Sequence, residues 1–113
     1  MNAYEIPNLR YSMPAGEAVG RRLFVTVDSD GKGVVATAGG TVIGVSMNEA
    51  AADEVLEVAD GIVMVEAGDA VAAGSSISVG TAGTAVVAST GAVVGTALTA
   101  AVAAGQLIAV KIR

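Results

Sequence analysis

From Leu23 onward, apolar positions recur at every second residue. Leu23, Val25 and Val27 alternate with Phe24 and Thr26. Leu56 and Val58 flank Glu57, while Ile108, Val110 and Ile112 alternate with Ala109, Lys111 and Arg113. A period of two belongs to a strand whose faces see different surroundings, and it leaves one face of the last segment polar. The runs are short and punctuated. Asp28-Ser29-Asp30-Gly31-Lys32-Gly33 lies between two apolar segments and reads as a hairpin loop, with glycine supplying positive φ. Gly39-Gly40, Gly80-Thr81-Ala82-Gly83 and Thr90-Gly91 mark further turns. Many short strands joined by glycine turns predict an all-β fold, a small Gly/Ala/Val-rich sandwich or barrel. Two Ala-rich stretches, Asn48 to Glu54 and Ala97 to Ala104, carry good helix propensity. They read as connecting loops with room for a single helical turn.

The pattern is present twice. Ala15-Gly16-Glu17-Ala18-Val19 returns as Ala67-Gly68-Asp69-Ala70-Val71. At the same offset Val25-Thr26-Val27 falls on Ile77-Ser78-Val79, Gly31 on Gly83, and Val34-Val35-Ala36-Thr37 on Val86-Val87-Ala88-Ser89. After a one-residue slip Val42-Ile43-Gly44 matches Val93-Val94-Gly95, and a compensating slip sets Leu56-Glu57-Val58 on Ile108-Ala109-Val110. Order, spacing and matching glycines define an internal duplication, residues 15–66 and 67–113. Equivalent positions keep the same apparent facing, Val25 with Ile77 and Val58 with Val110. A register error of one residue would turn each strand inside out, so this agreement supports the strand reading separately.

Residues 1–14 stand apart from the single β-domain of residues 15–113. They hold both prolines and both tyrosines. Pro7 and Pro14 bias Ile6 and Met13 to extended geometry, which predicts an extended N-terminal arm. A disordered tail is usually poor in large apolar groups. This one carries Tyr4, Ile6, Leu9, Tyr11 and Met13, which suit an arm lying on another surface.

Composition narrows the function classes. The 113 residues are 53% apolar, yet mostly through Ala and Val, so each buried side chain removes little area from water. A thin core of this kind gains from association with further copies or a larger partner. The net charge of −5 and the scattered Arg10, Arg21, Arg22, Lys32, Lys111 and Arg113 argue against nucleic acid as partner. Only Arg21-Arg22 forms a local cluster, and it reads as a solvated strand edge. Every apolar run is interrupted well before the ~20 residues of a membrane span. The start, Met1-Asn2-Ala3-Tyr4-Glu5, has neither a basic region nor an apolar run, so no signal peptide is expected.

Candidate chemistry is sparse. With no histidine and no cysteine, a Ser-His-Asp triad, a Cys-His pair and a zinc site of the usual ligands are excluded. Neither Lys32 nor Lys111 is followed by Ser or Thr, which removes the phosphate-cradling Walker pattern. Asp28-Ser29-Asp30-Gly31 is the best metal-loop candidate, but its twelfth position is Gly39 and its duplicate has no carboxylate, so a plain hairpin is expected. Glu49, Asp53, Glu54, Glu57 and Asp60 read as a solvated acidic patch. A biotinyl- or lipoyl-type carrier needs an exposed lysine at a hairpin between two halves, whereas Lys32 lies within the first. The expectation is a non-enzymatic protein with no cofactor and no metal.

At this point the chain resembles the capsid decoration, or cement, proteins of tailed bacteriophages. The resemblance rests on Ala-Gly-Glu/Asp-Ala-Val at 15–19 and 67–71, and on Val-Ile-Gly-Val and Val-Val-Gly-Thr at 42–45 and 93–96. It rests also on the Ala-rich loop before Leu107-Ile108-Ala109-Val110-Lys111-Ile112, and spans residues 15 to 113. It implies a structural protein made in the host cytoplasm and bound to the major capsid protein on the outer surface of the virion. There, copies (trimers favoured) would stabilise contacts between capsomers. The arm's own chemistry nominates Tyr4, Ile6, Pro7, Leu9 and Tyr11 as capsid contacts, with Arg10 pairing to an acidic group of the capsid. The alternative is a β-sandwich binding module of a fibre, tail or surface assembly.

Overall fold

The computed structural model describes residues 4–113; the first three residues of the arm lie outside them. Nine strands form one antiparallel sheet, curled into a half-barrel. The first half of the molecule contains β1 (Ile6–Pro14), β2 (Phe24–Val27), β3 (Gly33–Val35) and β4 (Gly44–Ser46). The long β5 (Val55–Glu66) leads into the second half, with β6 (Ser76–Val79), β7 (Ala85–Val87), β8 (Gly95–Ala97) and β9 (Leu107–Ile112). The strand order is β3-β2-β4-β5-β9-β8-β6-β7, and β1 pairs with β5 alone. Pro7 and Pro14 cannot donate to a ladder, so an edge strand is where this sequence fits.

The duplication governs the register. Val25 pairs with Val35 and Gly44 in the first half, and Ile77 with Val87 and Gly95 in the second. Isolated bridges repeat too: Ala15 with Gly33 and Val19 with Ala50 return as Ala67 with Ala85 and Val71 with Ala101. The equivalence extends into the arm. Tyr11 and Met13 of β1 pair with Val58 and Leu56, just as Val63 and Val65 of β5 pair with Val110 and Ile108. Strand β5 therefore closes the first half with its N-terminal part and opens the second with its C-terminal part. The change-over falls at Gly61, whose φ of +111° and lack of a side chain let the backbone pass Asn8; a Cβ there would meet the Asn8 nitrogen at 2.5 Å.

Two apolar clusters follow from this layout. One holds Ala15, Val19, Val25, Ala50, Leu56 and Val58, flanked by half-buried Tyr11, Met13, Val35 and Ile43. The other contains their equivalents Ala67, Val71, Ile77, Ala101, Ile108 and Val110, and is enlarged by the joint between the halves. At that joint Phe24, Val45 and Ala59 of the first half are fully buried in the same cluster as Val79 and Ala85 of the second. The Gly83 tip of the β6–β7 hairpin lies so close that an added Cβ would meet Val35 Cγ1 at 2.7 Å and the Phe24 carbonyl at 3.2 Å. Gly39 N–H donates to the Val79 carbonyl across the same joint at 2.9 Å.

This joint corrects the expected facing of β2. Alternation predicts Leu23, Val25 and Val27 inside, whereas Phe24 and Val25 are both buried and Val27 is 44% exposed. Both faces of the strand have something to pack on, one within its half and one across the joint. Neither Ala-rich loop forms a helical turn; each is held by its bridge, through Ala50 or Ala101. The β6–β7 hairpin turns tightly at Thr81–Gly83, with Ala82 and Gly83 both at positive φ.

Candidate interaction site at the arm

The arm is a strand laid along β5 of its own chain. Its C-terminal part belongs to the core: Met13 and Tyr11 are half-buried against the first cluster, and the Tyr11 hydroxyl donates to the Ile43 carbonyl at 3.1 Å. Burial, and then the negative charge of Asp60, hold that phenol above the usual tyrosine range. The N-terminal part faces outward. Tyr4, Ile6 and Leu9 are 45%, 63% and 57% exposed, and Pro7 beside them is exposed as well. Strands normally bury one side chain in two. Three large apolar groups within six residues are thus left in water.

The start of the arm is tied down electrostatically. Glu5 Oε1 accepts the Met64 N–H at 3.1 Å and pairs with the Arg22 guanidinium, both side chains being mostly buried. Arg22 sits in a turn with φ +60°, its N–H bonded to the Ser46 carbonyl and its own carbonyl accepting from Glu66. It is thus a latch for the arm rather than part of a solvated strand edge; Arg21 is exposed. Arg10, expected to meet an acidic group of a partner, is exposed and pairs with Glu57 of its own chain.

Beside the arm lies a cleft of about 410 Å³ where its start meets the middle of β5 and the end of β9. Ile6, Pro7, Ile62 and Ile112 supply apolar walls, and Asp60, Lys111 and Arg113 the charge. Asp60 Oδ1 already accepts the Gly61 N–H at 2.8 Å, whereas Lys111 is exposed. The site thus combines apolar anchors with two cations on an acidic protein. Sequence reasoning nominated the arm residues but not Lys111 or Arg113 in this role. Only the antiparallel pairing of β1 and β9 with the same strand brings them together, and no local motif encodes that.

The other candidates serve the fold. Asp28 Oδ1 accepts the N–H groups of Asp30 and Lys32 at 2.9 and 3.0 Å, capping its own hairpin. Lys32 Nζ lies 2.9 Å from Asp53 Oδ1, and this bond holds the ammonium pKa above its usual value. The acidic patch is dispersed among partners: Asp53 with Lys32, Glu57 with Arg10, and Glu54 Oε1 with the Ala51 N–H at 2.7 Å.

The chain matches no family model and no curated protein. Among solved structures it is similar to the N base of the head fiber gp8.5 of bacteriophage phi29. The TM-score is 0.78 at 20% identity, over 93% of each chain. The two proteins share their fold through almost their whole length.

Proposed function

We propose that this chain is a non-enzymatic structural protein of a tailed-phage head, bound to the exterior of the capsid and reinforcing the contacts between capsomers. The exposed Tyr4, Ile6 and Leu9, and the cleft that Ile6 lines together with Lys111 and Arg113, support this reading. The fold shared with a head-fiber base and the resemblance to decoration proteins support the same location. Each copy contributes a modest interface, and a symmetric shell multiplies it through effective concentration. A second reading, the base of a fibre standing on the head, is favoured by the described role of that structural neighbour.

Co-sedimentation with expanded heads lacking the protein tests the proposal. Deleting residues 1–14 would strip Tyr11 and Met13 from the core, so the informative variant is Tyr4→Ser with Ile6→Ser and Leu9→Ser. Binding should fall at least 10-fold, as expected for losing even one interface anchor, with an unchanged circular dichroism spectrum. Wild-type protein that fails to sediment with heads refutes the head assignment. Binding that leaves the heads' thermal resistance unchanged favours the fibre base over reinforcement.

A further inference from the structure

Two residues of the first half hold a left-handed backbone where the second half has glycine. Arg22 (φ +60°) matches Gly74 (φ +88°), and Asp53 (φ +68°) matches Gly105 (φ +91°). The backbone bonds at matched sites are the same. The N–H groups of Arg22 and Gly74 donate to the Ser46 and Ala97 carbonyls, and those of Asp53 and Gly105 to Ala15 and Ala67. Glycine therefore meets the local demand, and meets it without strain. Aspartate is among the residues that tolerate this region, whereas arginine is not. The reason for Arg22 lies outside its turn.

That reason is Glu5. The Arg22 and Glu5 side chains pair while only 16% and 18% exposed, and Arg22 Nη1 also reaches Met47 Sδ at 3.6 Å. Asp53, by contrast, pairs with Lys32 on the surface, where such a bond adds little. Glu5 in turn accepts the Met64 N–H of β5. Little else fixes the start of the arm. Before the bulge at Asn8 only Ile6 and Pro7 pair with β5, opposite Ile62 and Gly61. Pro7 has no N–H to donate, and both side chains are exposed. Without Arg22, a mostly buried carboxylate would be left with the Met64 N–H as its support, and it would be better placed in water. The segment would follow it out.

We propose that Arg22 is a positioning residue: through Glu5 it holds Tyr4–Pro7 on β5 before any partner is met, and this order offsets the cost of its backbone. The inference rests on the reading of Tyr4 and Ile6 as head contacts and adds how they are presented. A partner then binds a segment already ordered and is spared the affinity lost in ordering it.

Arg22→Gly installs the residue of the second repeat, relieves the turn and leaves every arm residue in place. The amide order parameters of Glu5 and Ile6 should fall from about 0.85 to below about 0.6. Exchange of the Met64 amide should accelerate about 10-fold, with Ile108 and Val110 of β9 exchanging as in wild type. Head binding in co-sedimentation should weaken about 10-fold, and Arg22→Lys, which keeps the charge, should recover part of each loss. If Arg22→Gly folds poorly, Glu5→Ala leaves the turn untouched and should give the same local pattern. Unchanged order at Glu5 and Ile6 would overturn the inference. So would acceleration spread equally to β9, which would make Arg22 a support of the whole fold, or a released arm with head binding intact. Wild-type protein that ignores heads refutes the proposed function instead, and the order parameters and Met64 exchange then decide whether Arg22 positions the arm.

Discussion

The two halves are built on one register and close differently. The opening strand of the second half is the C-terminal part of β5, and its Val63 and Val65 are fully buried. The opening strand of the first is β1, where Tyr11 and Met13 at the same places are only half-buried and the outer edge is unpaired. Burying a residue of this size stabilises by roughly 1.5–3 kcal/mol, so the first half is the less firmly closed of the two. The difference teaches that two copies of one register need not close alike. Once one repeat is sealed by its neighbour, the other keeps an edge strand whose start is released from packing. The exposed Tyr4, Ile6 and Leu9 lie at the start of that strand.

Breaking the joint should have the largest effect. Phe24→Ala removes the largest fully buried side chain and should cost about 3–5 kcal/mol in denaturant unfolding. Its duplicate Ser76→Ala should stay within about 0.5 kcal/mol. Equal costs would mean that the halves do not pack as described. The glycine tips sharpen the same contrast. Gly83→Ala meets Val35 and the Phe24 carbonyl and should cost about 2–3 kcal/mol, against about 1 kcal/mol for Gly31→Ala, which strains only φ.

The smallest effect concerns the arm. Tyr11→Phe deletes the hydrogen bond to Ile43 and should cost about 1 kcal/mol. The raised phenol pKa has a defined sign. The unfolded chain ionises first, near pH 10.0, so the stabilisation is complete below that value and is lost as pH rises through the folded value. Tyr11→Phe should flatten this alkaline decline, measured as unfolding midpoints on either side of pH 10.

Much of the architecture was legible in the residues. Period-two alternation placed most strands, and the repeated Ala-Gly-Glu/Asp-Ala-Val segment located both halves. The turn at Asp28–Gly33 followed from local chemistry, as did the extended backbone of Ile6–Pro14, which is an edge strand of the sheet rather than an arm apart from it. What escaped was set by long-range packing. Phe24 looked outward because alternation assumes a single buried face, and β2 has two. The Ala-rich loops suggested helix on propensity alone, but bridging through Ala50 and Ala101 overrode a weak preference. Arg22 and Glu5 gave no sign of pairing, being brought together by the β1–β5 ladder. The large apolar residues of the terminal segment were visible in the sequence; Lys111 and Arg113 became neighbours of Ile6 and Pro7 only once β9 was placed.

Because β5 serves as the last strand of one repeat and the first of the next, neither can open without fraying the other. Its twelve residues run unbroken through the change-over at Gly61 and tie the two halves together. Amide exchange along Leu56–Val65 should therefore proceed only by whole-molecule unfolding, whereas the outer edges of β1, β3 and β7 exchange through local breathing. A protein organised this way passes from intact to unfolded in one step.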